Sequence, residues 1–247
     1  MYSILSSKMV SFTYEQWVRY FQHQEKKRLN ICFTQEELLD NRIKDLIFPS
    51  ITAFERGENS DGAYLKSAAE EFSDKIADHS YQKAIELFIQ EENVHSDYLA
   101  KFMKWHGVPQ RTKTPLNRIF QLLRRTMKIR SEVTVLVTAE IIALSYYSAL
   151  SSATTSKTLK SICRQMLRDE LPHVIFQSYT LGHFKNSSIM NGARILLMEA
   201  SCLAVWTAYG NVFRAGGYGF SKFLSESLGY LRQSIQLAER QKATRKA

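Results

Sequence analysis

Proline and glycine are scarce in this chain. Four Pro and ten Gly among 247 residues are too few turn formers for an all-β protein with many hairpins. Cysteine is scarcer still: Cys32, Cys163 and Cys202 are an odd, unclustered set. Such a set excludes a disulfide framework and a cysteine-built metal site, and it fits a reducing cytosol. Met1 to Val10 lacks both an early basic cluster and a continuous apolar stretch, so no signal peptide is expected. Long apolar runs are missing too. The most apolar one, Ile195 to Tyr209, is too short to cross a bilayer and contains Glu199. It is expected to be a buried helix, and no membrane span is expected.

What the chain does have is 45% hydrophobic and 23% charged residues, the balance of a globular protein with a real core. The formal net charge is +9. Basic residues gather at Lys26-Lys27-Arg28, between Arg118 and Arg130, and between Arg240 and Lys246. Read simply, this is a solvated basic surface. The sharper reading is an acidic partner, such as an acidic carrier or redox protein or an anionic lipid. No nucleic-acid-binding signature accompanies the charge, so nucleic acid is not an expected partner.

The pattern is helical throughout. Thr13 is an expected N-cap with Gln16 as its capping-box partner, ahead of a packing stripe of Trp17, Tyr20 and Phe21. Thr34-Gln35-Glu36-Glu37 repeats the capping pattern and predicts a second helix running toward Phe48. Pro49 suits the first turn of a new helix or a kink. Ile51 to about Lys75 reads as helical despite Gly57 and Gly62, which leave room either for close packing or for a bulky site. Ala77 to Ser80 breaks the pattern, and a helix runs from there to Trp105, stopped by Gly107, Val108 and Pro109. Gln110 to about Thr114 is a polar connection. A helix beginning after Pro115, with a break at Met127 to Ser131, becomes apolar from Val133 to Leu150. Ser151 to Ser156 is a loop, and a helix from about Lys157 to Phe184 follows, with Pro172 inside it. Further helices are expected at Ile189 to Arg214 and about Ser221 to Arg240, joined by the turn Gly216-Gly217-Tyr218-Gly219, which lacks the spacing of a phosphate loop.

Within that pattern one tetrad occurs twice: Glu92-Asn93-Val94-His95 and Glu170-Leu171-Pro172-His173. Residues three apart share a helix face, so each tetrad aims a carboxylate and an imidazole the same way. Two such pairs, plus one Glu from each of two other helices, make the paired-metal site of a four-helix bundle. Helices that fold back on each other bring together residues equidistant from the turn. The first tetrad lies about 23 Å along its helix from the Ala77 to Ser80 turn. The matching position on the preceding helix falls near Ala63 and Tyr64, which cannot bind a metal. Glu58 is the nearest glutamate to that height, with Glu70 on the other side and Glu55 further away. For the second tetrad the match falls near Val135 or Leu136, between Glu132 and Glu140. Glu140 stands in an apolar run, where a carboxylate is costly unless paired or metal-bound. Glu132 borders the basic segment and is expected to make surface salt bridges.

The candidate metal ligands are therefore Glu58, Glu92, His95, Glu140, Glu170 and His173, with Glu55 as the alternative to Glu58. The acidic residue before each tetrad would orient an imidazole from behind: Asp169 for His95 and Glu91 for His173. Phe88, Leu136, Ala143, Leu144 and Met166 neighbour the ligands along their helices and read first as plain core. Tyr146 and Tyr147 read as packing.

Phe54-Glu55-Arg56-Gly57-Glu58-Asn59-Ser60-Asp61-Gly62, the stretch Glu91 to His95, and Leu167 to His173 resemble segments of the ferritin-like superfamily. That superfamily includes the ribonucleotide reductase small subunit, soluble acyl-carrier desaturases, rubrerythrins and di-iron N-oxygenases. Within it the chain is similar to a bacterial group known only by its ferritin-like domain, over about residues 50–185. Its Gly-Glu pair resembles that group's ligand Glu, which favours Glu58. Pro172 departs from the pattern. The resemblance implies an all-α, ferritin-like four-helix bundle with extra N-terminal and C-terminal helices. One domain would span residues 1–247, with its bundle core at about 49–185 and flanking helices at 13–48 and 189–240. It implies two iron ions, with manganese or a mixed Mn/Fe pair as alternatives. The expected activity is an O2-dependent oxidase or oxygenase acting on a small organic substrate, in the cytoplasm, with a homodimer compatible. Rival expectations are ferritin- or rubrerythrin-like handling of iron or peroxide, and a metal-free helical scaffold. The lack of a four-cysteine rubredoxin module disfavours a full rubrerythrin.

Overall fold

The computed structural model describes residues 3–34, 36, 38–59, 62–110 and 129–244. Among these residues the only regular structure is helical, as the scarcity of turn formers predicted. The expected connection beyond Gln110 and the helix after Pro115 lie outside the described residues up to position 128. The chain forms two compact units, one made of residues 12–129 and 154–165, the other of residues 1–11, 130–153 and 166–247.

In the first of these units four helices precede the undescribed stretch: α1 (Tyr14–Glu25), α2 (Asn41–Glu58), α3 (Ala63–Ile76) and α4 (Ser80–Trp105). The capping box at Thr13 and Gln16 forms as predicted. Packing centres on α4, which contacts the other three. Tyr14 meets Tyr81 with ring centroids 4.8 Å apart, and Phe48 stacks on Phe102 at 5.8 Å.

The second helix departs from expectation. It begins at Asn41, not near Thr34, because the Asp40 carboxylate caps it by accepting from Ile43 N at 2.9 Å. Glu37, the residue three after Thr34, lies outside the described residues, and Glu36 beside it is engaged elsewhere. Its Oε2 accepts from Thr158 N at 3.3 Å, and its Oε1 lies 3.8 Å from His106 Nε2. Pro49 neither starts nor ends the helix, which runs through it to Glu58. The helix expected from Ile51 to Lys75 is in fact two. Gly62 takes a left-handed φ of 64° as the N-cap of α3, where a Cβ would run into the Ile89 side chain. Ala77 (φ 54°) and Gly107 (φ 71°) make the left-handed stops that end α3 and follow α4.

In the other unit, α5 (Ile129–Ala153) is almost wholly contained, and α6 (Lys157–Leu181) enters it at Met166. The loop between them is shorter than predicted, because α5 continues to Ala153. Then come α7 (Ser188–Ala215) and α8 (Phe220–Thr244), which pack together around Phe213 and Phe223, with ring centroids 4.4 Å apart. The N-terminal stretch is tied to α8: Ile4 N donates to Gln233 Oε1 at 2.7 Å, and Gln241 Nε2 donates to the Val10 carbonyl at 2.6 Å.

Among the described residues two helices, α5 and α7, are long and apolar enough to cross a membrane. In α5 83% of the apolar window is buried, the mark of a core helix, but in α7 only 33% is. The buried helix expected at Ile195 to Tyr209 is therefore a 28-residue helix with an apolar outer face, where Ile189, Leu196 and Leu203 are 86%, 67% and 57% exposed. Apolar composition alone cannot tell an inward face from an outward one, and here residues seven apart point outward together.

Candidate metal centre

Among the described residues, each unit brings two carboxylates and an imidazole together. In the first unit, Glu92 and His95 stand three residues apart on α4, with Glu92 Oε1 3.6 Å from His95 Nδ1. Glu58, the last residue of α2, joins them, and one ligand atom from each of the three falls within 4.8 Å of the others. His95 and Glu58 are buried, and the Glu92 side chain is 12% exposed. The end of α2 places Glu58. Asn59 leaves the helix with extended backbone while its N–H bonds the Glu55 carbonyl at 3.2 Å.

The alternative ligand, Glu55, is engaged elsewhere. Its Oε1 accepts from Ser96 Oγ at 3.0 Å and from Gln110 Nε2 at 2.9 Å. These bonds satisfy a buried carboxylate without a metal and tie α2 to α4 and its following loop. Glu70 is exposed on α3.

The second unit repeats the arrangement. Glu170 and His173 share a face of α6, with His173 Nδ1 3.3 Å from Glu170 Oε2. Glu140 on α5 brings its Oε2 to 4.0 Å from the same nitrogen. All three are buried, at 4%, 0% and 0% exposure in chain order. Pro172 removes one helical N–H from α6, yet the helix runs unbroken from Lys157 to Leu181 and the tetrad keeps its shared face. Glu132 corrects the expectation of a surface salt bridge: it is only 2% exposed, and it takes no part in the cluster. Its place beside a basic stretch gave no sign that the first turn of α5 faces inward.

The donor set fits a divalent first-row ion. Each cluster offers two carboxylates and one imidazole, enough charge to balance one such ion, with the oxygen-rich mixture that iron and manganese accept. Six groups that prefer water would be costly to bury with no such balance. Asp169, next to Glu170, is 3% exposed, and Glu91 is half-buried. Phe88, Leu136, Ala143, Leu144 and Met166 are all buried, as core residues should be. Tyr146 and Tyr147 are fully buried, and their rings pack 5.1 Å apart.

No protein-family model matches the sequence, and no curated protein matches it either. Among solved structures, the fold is similar to that of an R2-like ligand-binding oxidase, a point variant with an aerobically reconstituted Mn/Fe cofactor. The two share 14% sequence identity over 94% of each chain, with a TM-score of 0.56. Identity that low speaks for the fold, which is all-α and ferritin-like.

Proposed function

We propose that the two clusters form one paired-metal centre, and that the protein is an O2-dependent oxidase or oxygenase acting on a small organic substrate. The observation that carries this reading is the doubling: one Glu from one helix, joined by a Glu-x-x-His from a later one, occurs twice among the described residues. The solved oxidase of similar fold carries a Mn/Fe cofactor, which supports a redox role over a scaffold. In this centre Glu58, Glu92 and His95 would hold one ion, and Glu140, Glu170 and His173 the other. Iron, or a manganese–iron pair, would supply the electrons that reduce O2. The four carboxylates balance the ions' charge, and the imidazoles, neutral as ligands, complete the set. Asp169 behind His95, and Glu91 behind His173, would each accept the second ring N–H and fix its orientation. Buried apolar neighbours such as Phe88 and Met166 keep water from the ligands. One domain, in a reducing cytoplasm, completes the proposal.

Metal analysis of protein produced with iron tests it. About two iron or manganese ions per chain are expected, falling steeply in both Glu92→Ala and His173→Ala. With Fe(II) loaded, O2 uptake should depend on an added organic substrate. Metal content near zero, unchanged by either variant and not restored by anaerobic Fe(II), would overturn the metal reading. Turnover with Fe(II) or peroxide alone would replace the oxidase with iron or peroxide handling.

A further inference from the structure

Near the start of α7 lies a buried guanidinium that the metal chemistry does not use. Arg194 is only 6% exposed. Its Nη2 donates to the Ser234 hydroxyl on α8 at 2.8 Å, and Ser234 is hydrogen-bonded in turn to Ser178 on α6 at 2.6 Å. Both hydroxyls are neutral. Among the described residues Arg194 Nε has no acceptor and no carboxylate forms an ion pair with this side chain. A guanidinium has five N–H donors and stays charged, so burial without a counter-charge is costly.

A second guanidinium is near enough for its charge to act on Arg194. Arg130, in the first turn of α5, donates from Nη2 to Asn186 Oδ1 at 3.3 Å. With its oxygen turned to Arg130, Asn186 leaves its Nδ2 buried and, among the described residues, without an acceptor. Burial, reinforced by the Arg130 charge, brings the Arg194 guanidinium down to about 10, and Glu239 opposes this less strongly than Arg130 promotes it. Glu239 is exposed, and its Oε1 already accepts from Asn191 Nδ2 at 3.0 Å. The cluster thus has positive charge and spare donors, and it is short of acceptors. All of it lies within one compact unit.

We propose that Arg130, Asn186 and Arg194 form a binding site for a small oxyanion: inorganic phosphate, or the carboxylate head of an organic acid. An oxyanion supplies the acceptors that Arg194 Nε and Asn186 Nδ2 lack, and it balances the two guanidiniums. Paired guanidinium contacts of this kind suit planar carboxylates and phosphates equally. The site does not depend on the metal centre, since none of its members is a proposed metal ligand.

Calorimetric titration of the full chain in a chloride-poor buffer tests the proposal. Inorganic phosphate and hexanoate are the two probes, each with an ionic-strength-matched control. Saturable binding of at least one is expected, weakened roughly tenfold or more in Arg130→Gln, which removes a charge-assisted contact from a half-exposed position. In Arg194→Met binding should vanish, while the anion-free melting temperature holds or rises, because an apolar side chain replaces an unbalanced buried charge. Binding of phosphate alone, or of hexanoate alone, identifies the source of the oxyanion. No saturable binding of either probe, or affinity unchanged in Arg130→Gln, overturns the site, whether or not Arg194→Met folds.

Discussion

At the scale of single residues, His106 shows how burial converts into pH dependence. It lies just past α4, 3% exposed, between the rings of Phe48 and Phe102. Its Nδ1 accepts from Leu39 N at 3.4 Å, which requires that nitrogen to be unprotonated. Burial pushes its pKa below the ordinary 6.5; Glu36 opposes the shift and Lys44 adds to it. The unfolded chain therefore takes up a proton at higher pH than the folded one does. Stability from this group is fully present above 6.5, and it is lost as pH falls from there toward the lowered folded value. Urea unfolding at about pH 7.5 and about pH 5 should show a larger loss in the native protein than in His106→Gln, which has no titrating group at this position. The comparison is one of slopes, since the variant also loses packing. Equal slopes would mean that His106 titrates alike in both states. Glu92, His95, Glu170 and His173 could be placed at this same scale, because Glu-x-x-His fixes a face whatever surrounds it, whereas Glu58 and Glu140 needed the register of neighbouring helices. Arg194 could not be placed: its role depends on Ser234 and Asn186, 40 residues later and 8 residues earlier in the sequence.

At the scale of elements, local chemistry was legible and tertiary competition was not. The cap at Thr13 and the limits of α4 follow from residues that act on their own neighbours. The helix expected from Thr34 starts later because the Asp40 carboxylate, outside that tetrad, caps it, while Glu36 is drawn to His106 and to the first turn of α6. Gly62 was read as mid-helix because its left-handed φ leaves no trace in the periodicity around it. A glycine with the opposite requirement tests the packing at the other end of the chain. Gly216, between α7 and α8, has an ordinary negative φ, but a Cβ there would strike the backbone of Ala149 on α5. Gly219, three residues on, has open space around it. Gly216→Ala should cost about 1–3 kcal/mol, the range for overpacking against atoms that cannot swing aside. Gly219→Ala should stay within about 0.5 kcal/mol. Thermal melting of the two variants measures the difference. Equal stability would show that the end of α5 does not press on this turn.

At the scale of the whole molecule, the two clusters draw on different units. One belongs to the unit built around α4, the other to the unit that holds α5, α7 and α8. A ligand that binds only the folded state stabilises it by about 2.7 kcal/mol at a hundred times its dissociation constant. In a chain of this size that amounts to a rise of about 5–10 °C in melting temperature. Anaerobic Fe(II) should produce a rise of this order in the native protein. Separate mononuclear sites and one shared centre then differ in how the gain is distributed. If each ion belonged to its own cluster, His173→Ala would remove metal-dependent protection from α6 and leave α4 unaffected. In a shared centre, ligands from both clusters surround the same pair of ions, and losing one ion exposes the other to exchange with solvent. Hydrogen exchange of the Fe(II)-loaded protein should therefore show α4 losing most of its metal-dependent protection in His173→Ala, and α6 losing its own in Glu92→Ala. Protection of α4 that persists in His173→Ala would establish two independent sites, and with them a chemistry of single ions in place of a paired centre.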